Sequence, residues 1–343
     1  MTTQFGYACI NSTLQELKPR VTCNRGMIQR TFKAKGLQYA SELSLQNTAD
    51  LIKHVAWNHA NGVKVFRITS CMFPWHSEYD LTQLPDYEEI KDNLAAAGAL
   101  AIKHGIRLST HPGQFNVLTS VREHVVLNSL DELDKHGQVF DLMGLPSSPA
   151  AKINIHIGGA YGDRASAIDR WCTNYERLSD STKSRLTVEN DDKPKLYSTK
   201  MLYDNIVKRT GTPIVFDSHH FACGPQDSTY EEAFQMAVDS WPRGVRPQCH
   251  HSNSRKKYED PTARVNAHSD WYYEPFNDCG NSVDVVLECK KKEKAVFKYL
   301  KDFTTSSHEI RKDYRLDRMH AQVRFPPAVP LLIKKRQNYM HNT

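Results

Sequence analysis

The sequence predicts a single-domain (β/α)8 barrel of the TIM type, and three observations lead there. Short β-branched runs alternate with longer amphipathic stretches across the 343 residues, and strands alternating with helices imply parallel β-α-β units. The alternation yields eight strands, the number that closes such a barrel. Polar residues recur at the end of one strand after another, where a barrel of this kind places its active site. No G-x-G-x-x-G or G-x-x-x-x-G-K-[ST] follows a strand, so nucleotide-binding doubly wound sheets lose their usual signature.

In chain order, the apolar run Phe5–Asn11 reads as the first strand and the β-branched run Val63–Thr69 as the second, with the helical pattern Thr48–Asn61 between them. Tyr87–His104 follows as a helix, then the strand Arg107–His111 and the helix Ser120–Leu142. The fourth strand, Lys152–Ile157, is followed by the helix Arg164–Leu178. The fifth, Arg185–Asn190, precedes the helix Leu196–Arg209. Pro213–His219 is the sixth, with the helix Thr229–Trp241 after it. Pro247–Ser252 and Val283–Cys289 complete the set, and Lys290–Phe303 closes it as a helix. Asn253–Pro275 is polar and lacks periodicity, which reads as a long functional loop before the last strand.

The barrel is thus expected over residues 1–303. The stretch 304–343 carries Arg311, Lys312, Arg315, Arg318, Arg324, Lys334, Lys335 and Arg336. It reads as a basic tail packing on or trailing from the barrel, a solvated helix and frayed end rather than a dedicated DNA-binding arm.

Composition narrows the class. Hydrophobic content of 39% and charge of 24% are those of a globular enzyme rather than a disordered chain. No apolar run approaches the roughly 20 residues of a membrane span, and Met1 to Gly6 lacks a signal-peptide pattern. A soluble, cytoplasmic, unexported protein is expected. None of the eight cysteines forms a C-x-x-C pair, which argues against a zinc ribbon or thioredoxin-like site and fits a reducing compartment. The net charge of +6 makes an acidic polymer an easier partner than a membrane.

The strand ends carry the chemistry. The third delivers His111, the fourth His156, the fifth Glu189, the sixth Asp217 with His219 and His220, the seventh His250 and His251, and the eighth Glu288; His268 lies in the loop before the last strand. A barrel makes these positions converge on one axis. Burying that many ionisable groups together is costly unless something pairs them. Bound cations are the simplest solution, since imidazole and carboxylate together suit Zn, Mn or Fe. No cysteine falls at a ligand position, so the site is open and catalytic rather than closed and structural. The count exceeds what one ion needs. Two or three metals, a carboxylate bridging a pair, form the arrangement that activates water and stabilises both oxygens of an in-line phosphoryl displacement.

An ordered set of strings resembles the UV-damage endonuclease family, relatives of endonuclease IV in the xylose-isomerase-like barrel group. They are Gly6-Tyr7-Ala8-Cys9-Ile10-Asn11, Phe66-Arg67-Ile68-Thr69-Ser70, His111-Pro112-Gly113-Gln114, His156-Ile157-Gly158-Gly159 and Val188-Glu189-Asn190-Asp191. Asp217-Ser218-His219-His220, His250-His251-Ser252, His268-Ser269-Asp270 and Asp284-Val285-Val286-Leu287-Glu288 follow. The resemblance implies that Glu189 bridges two metals, one shared with His111 and His156 and the other completed by Asp217, His250 and Glu288. His220 and His268 would hold a third. Glu189, Asp217, Glu288 and His250 would be catalytic. Mn2+ is the first expectation, with Zn2+ or Mg2+ as alternatives. The resemblance further implies cleavage of damaged double-stranded DNA immediately 5′ of cyclobutane dimers, 6-4 photoproducts or abasic sites.

Gln114 and Phe115 fit the family's polar-aromatic pair wedged into the duplex, where an aromatic ring replaces part of the lost stacking. Tyr7 and Asn11 resemble residues lining the lesion pocket. Arg67 sits either near the phosphates or in an ion pair inside the barrel. The chain departs from the family at Gln248, where relatives often carry lysine, at Arg164, where lysine is common, and at Asn266, where endonuclease IV offers an aspartate. The rivals are a sugar isomerase or epimerase of the same barrel group, a pure abasic-site endonuclease, and a damage-binding protein without turnover. A sugar isomerase has no use for the Gln114-Phe115 pair or for a basic rim from Arg25, Arg30, Lys33, Lys35, Arg255, Lys256 and Lys257. A monomer working with one active-site face is the expected state.

Overall fold

A computed structural model describes residues 3–304, so the tail beyond Thr304 lies outside the described residues. Eight parallel strands form one sheet: β1 (Gln4–Ala8), β2 (Val65–Ile68), β3 (Arg107–Thr110), β4 (Ile153–His156), β5 (Leu186–Glu189), β6 (Ile214–Val215), β7 (Gln248–His251) and β8 (Asp284–Leu287). Each expected strand is present, shorter by one to five residues. Neighbours pair in sequence order, and β1 pairs with β8 in register Tyr7 to Leu287. The ring closes between β6 and β7 through a parallel bridge from Asp217 to His250, with the His250 amide donating to the Phe216 carbonyl at 2.9 Å. Two expected ligands therefore also complete the barrel. Gly6 allows β1 to approach β2, since a Cβ there would overlap the Val65 carbonyl.

The helices α1 (Gln29–Ala60), α2 (Tyr87–His104), α3 (Glu123–Leu142), α4 (Arg164–Tyr175), α5 (199–210), α6 (Ser218–Cys223), α7 (Tyr230–Asp239) and α8 (Lys292–Phe303) surround the sheet. A π turn, Tyr203–Val207, interrupts α5. Two differ from expectation for physical reasons. Helix α1 begins nineteen residues before Thr48 and kinks at Gly36, whose φ is +60°. It buries Ser41, Ser44, Asn47 and Thr48 among Ala40, Leu43 and Leu51, which dilutes the apolar period of its inward face ahead of Thr48. The hydroxyls bond back along the helix, Ser44 to the Ala40 carbonyl at 2.7 Å and Thr48 to the Ser44 carbonyl at 3.0 Å, while Asn47 reaches the Met72 carbonyl at 2.8 Å. At the sixth strand the apolar run ends early. Asp217 caps α6, accepting from the amides of His219 and His220, so what reads as strand through His219 is a strand, a cap and a helix.

The expected loop 253–275 is largely irregular. It contains the single turn Arg255–Tyr258, and a bridge from Ser254 to His268 ties it down. No helix among the described residues is long and apolar enough to cross a membrane.

Candidate metal centre

Alternation along the strands fills the barrel from below. Lys152, just before β4, shares the inward side with Asn154 and His156 of that strand, as do Thr187 and Glu189 on β5 and Gln248 and His250 on β7. Thr187 donates its hydroxyl to Asn154 Oδ1 at 2.8 Å, and Asn154 Nδ2 donates in turn to Glu189 Oε2. Glu189, 1% exposed, is thereby held at the centre of the C-terminal end.

Around it stand imidazoles, one of which turns a lone pair toward the carboxylate. His111 Nδ1 lies 3.0 Å from the Pro112 carbonyl, an acceptor, so Nδ1 carries the proton. Burial pushes the imidazole down to about 4, so the ring is neutral near pH 7 and Nε2 is bare. That bare nitrogen faces Glu189 Oε2 at 3.1 Å. His220 Nδ1 sits 3.0 Å from the Asn190 carbonyl and 3.1 Å from Glu189 Oε1, and its Nε2 points toward Asp217 Oδ2 at 4.0 Å. Asp217 is fully buried; its Oδ1 accepts from two amides at 2.7 and 2.8 Å, whereas its buried Oδ2 accepts no hydrogen bond. Leaving a buried carboxylate oxygen without a partner costs about 1–3 kcal/mol or more for a charged group. A cation would remove that cost, and a donor set of imidazoles and carboxylates is one that divalent metals accept.

Three groups of potential ligands have donor atoms within 4.8 Å of one another: His111, His156 and Glu189; Glu189, Asp217 and His220; Asp217, His250 and Glu288. Glu189 and Asp217 each belong to two groups, so two carboxylates link the three. These buried His, Glu and Asp groups could hold divalent metal ions.

Charges within the cluster are mutually tuned. Burial pushes the Glu189 carboxyl up, but the imidazoles of His250, His156 and His220 around it outweigh it and hold the group well below the usual carboxylate range. Burial likewise pushes Glu288 up, and Arg67 with His250 overcomes it. His220 is lowered by burial yet ends well above its ordinary value because Asp217 and Glu189 face it.

His250 Nδ1 lies 3.2 Å from Glu189 Oε2 and 3.3 Å from Glu288 Oε1, while Nε2 lies 3.1 Å from Lys152 Nζ. If Nδ1 is the ligand atom, Nε2 keeps its proton and Lys152 must accept it, which only a neutral amine can do. Burial lowers the Lys152 ammonium to about 7, which makes that state accessible.

Seven of the expected site residues therefore meet: His111, His156, Glu189, Asp217, His220, His250 and Glu288. His268 stands next to them, its Nδ1 3.7 Å from Glu288 Oε2 and its ring edge-on to His219 and His220, but it joins none of the three groups. Arg67 pairs with Glu288, the interior of the two placements expected for it. Gln114 lines the cleft mouth and Phe115 projects from the same loop, 79% exposed.

Tyr7 and Asn11, expected beside a lesion pocket, are not among the residues lining the cleft. Both are fully buried. Tyr7 Oη donates to Asn58 at 2.7 Å and accepts from Asn11 at 2.8 Å, and Asn11 caps the turn Ser12–Gln15. Of the expected basic rim, Arg25 pairs with Asp50 at 2.7 Å and Lys257 with Glu274 at 2.8 Å, which neutralises them locally.

Lys152, Asn154 and Asp191 were not expected in these roles. Strict alternation through Lys152-Ile153-Asn154-Ile155-His156 is the signal that could have found the first two. Asp191 follows Glu189-Asn190 and reaches back to His156 Nδ1 at 3.2 Å. Carboxylates commonly orient metal-binding histidines in this way. The cleft above the cluster has a volume of about 830 Å3 and is also lined by Cys9, Asp192, Lys193 and Arg264. Cys9, at the end of β1, has a φ of +66°, a left-handed conformation that non-glycine residues adopt mainly at constrained sites.

Fold and site together define a parallel (β/α)8 barrel with a candidate multi-metal centre at its C-terminal end. The chain belongs to the UV-endonuclease UvdE family, whose model matches residues 3–316. It is 35% identical over 308 residues to the UV-damage endonuclease of Schizosaccharomyces pombe, covering 86% of this chain and 49% of the relative. It is 30% identical over 352 residues to that of Neurospora crassa, covering 90% and 52%. The chain thus spans about half the length of these two relatives. The crystal structure of SacUVDE superposes with a TM-score of 0.73 at 26% identity, covering 87% of this chain and 97% of that one.

Proposed function

We propose that this chain is a divalent-metal-dependent endodeoxyribonuclease that recognises UV lesions in duplex DNA and hydrolyses the phosphodiester immediately 5′ of the damage. The observation that carries the metal-dependent part is the juxtaposition of a bare His111 Nε2, a buried Asp217 Oδ2 without a hydrogen bond, and Glu189 between them. Family membership supports the DNA part.

Divalent ions bound there, with Mn2+ the first candidate, supply concentrated positive charge for an in-line displacement at phosphorus. His111, His156 and Glu189 would hold one ion, Asp217, His250 and Glu288 a second, and His220 with Glu189 and Asp217 a third; His268 is placed to assist at Glu288. Asn154 keeps Glu189 in its rotamer, and Asp191 turns His156 toward the cluster. Arg67 holds Glu288 ionised. At the mouth, Phe115 replaces stacking lost when damaged bases leave the helix, and Gln114 offers hydrogen bonds to what remains. Extrusion of a base costs a few kcal/mol and least where pairing is already damaged, which gives the cleft its preference.

The test incubates the protein and Mn2+ with a UV-irradiated oligonucleotide duplex beside an undamaged one. Nicking of the irradiated duplex, with 3′-hydroxyl and 5′-phosphate ends immediately 5′ of the lesion, is the expected result. Equal cutting of both duplexes, or none with any of several divalent metals, would contradict the reading.

A further inference from the structure

Three aromatic side chains are largely exposed among the described residues: Phe115, Tyr161 and Tyr273. Tyr273 is accounted for locally, stacked on Tyr258 with ring centres 4.7 Å apart and donating its hydroxyl to Glu259 at 3.0 Å. Phe115 is the wedge of the reading above. Tyr161 is 49% exposed.

It lies in the loop after β4, immediately beyond His156 and therefore on the C-terminal face. Its φ of +51° is left-handed, between two glycines with positive φ, Gly158 and Gly162. A side chain in that conformation is strained, and such strain gathers at sites of function. The ring rests on Gly159, where a Cβ would come within 3.1 Å of it, and Gly159 lines the cleft. Arg170 from α4 backs the ring, its guanidinium 5.6 Å from the ring centre.

The same Arg170 donates from Nε to the Thr119 carbonyl at 2.8 Å. Thr119 and Val117 in turn fit against Gly158, leaving no room for a Cβ there. The loop that carries Phe115 and the loop that carries Tyr161 are thus packed into one wall of the cleft.

We propose that Tyr161 is a second stacking residue for damaged DNA, taking a nucleobase beside the lesion against its ring while Phe115 occupies the duplex at the lesion itself. The proposal rests on the reading of the cleft as a site for damaged duplex. Every base offers a π face, so a ring backed by a glycine and a guanidinium contributes affinity without reading sequence. The strained backbone holds the ring in water before DNA arrives.

The test measures binding without turnover, in EDTA, by the full chain to a duplex containing one cyclobutane thymine dimer with 2-aminopurine at the flanking position. The variants are Y161F, Y161N and F115A. Asparagine tolerates the left-handed conformation, so Y161N removes the ring and not the loop geometry. Y161F should bind and quench 2-aminopurine as the wild type does. Y161N should weaken binding about tenfold or more and abolish the quenching, with an unchanged or higher Tm. Y161N binding that matches wild type, or a binding loss that simply follows a lowered Tm, overturns the proposal. If neither wild type nor F115A distinguishes damaged from undamaged duplex, the reading of the cleft fails as a whole. If F115A loses that distinction while Y161N keeps full affinity, this proposal alone fails.

Discussion

The two ends of the barrel handle buried charge in opposite ways. At the N-terminal end, Asp284 at the start of β8 accepts from Arg107 at 3.0 Å and from Arg246 at 3.1 Å. Arg107 spends its other donors on the carbonyls of Pro149, Ala150 and Arg246, at 2.6–2.9 Å. Donors meet acceptors there, and the ring of strands is stitched shut. At the C-terminal end, Glu189, Asp217 and Glu288 face imidazole nitrogens, and at His111 both facing atoms are acceptors. The same fold therefore spends one set of charges on cohesion and keeps the other set available for cations. The difference lies in the partners: arginines satisfy the carboxylate at one end, whereas imidazoles crowd three carboxylates at the other.

Substitutions at the two ends should separate just as cleanly. The largest effect is expected at the C-terminal end. Glu189→Gln or Asp217→Asn should reduce nicking of irradiated duplex by well over the roughly hundredfold seen when merely supporting residues around a metal are lost. Both should leave much of the damaged-duplex binding, as measured by fluorescence anisotropy in EDTA. Full nicking by either variant would dissolve the contrast.

At the opposite end, Asp284→Asn strands two arginines that share one buried carboxylate. It should lower unfolding free energy by about 3–5 kcal/mol in urea melts, while nicking per folded molecule stays at the wild-type level. A loss of turnover without loss of stability would mean the ends are not independent. Asp191→Asn, which removes the carboxylate orienting His156, should weaken metal affinity about 10–100-fold, readable as a shift in the Mn2+ concentration for half-maximal nicking.

The smallest effect lies outside both ends. Burial against Phe66 lowers His54 in α1 to about 4, from an ordinary value of 6.5. Because the unfolded chain takes up the proton first, stability is full above pH 6.5 and falls as pH drops toward 4. His54 alone should contribute a loss of about 2 kcal/mol between pH 6.5 and 5. His54→Leu should flatten that part of the profile in urea melts across the range, and an unchanged slope would contradict the assignment.

Much of this architecture was legible in the sequence. Tyr87–His104 reads as a helix with the bounds it has, because its apolar residues recur at helical spacing and Gly105 ends it with a φ of +60°. The cluster was legible because strand ends converge in a barrel, so the meeting of His111, His156, Glu189, Asp217, His250 and Glu288 could be expected from position alone. What escaped reading shares a cause. Helix α1 buries polar side chains that bond back to the backbone, and hydrophobic period is blind to them. Lys152 opens the expected fourth strand but reads as a solvent-facing residue there, since lysine seldom lies fully buried. Tyr7 and Asn11 sit at the right strand end but turn inward to each other and to Asn58. A strand end fixes the place of a side chain, and a neighbour decides its direction.

Thermal melting with added metal shows whether the C-terminal end is a cation site. Chains stripped with EDTA and titrated with Mn2+ should rise in Tm, as any ligand bound only by the folded state requires. Glu189→Gln should lose most of that rise and Asp284→Asn, despite its lower starting Tm, should keep it. A wild-type Tm indifferent to Mn2+, Zn2+ and Mg2+, or a rise that survives in Glu189→Gln and vanishes in Asp284→Asn, would contradict the account.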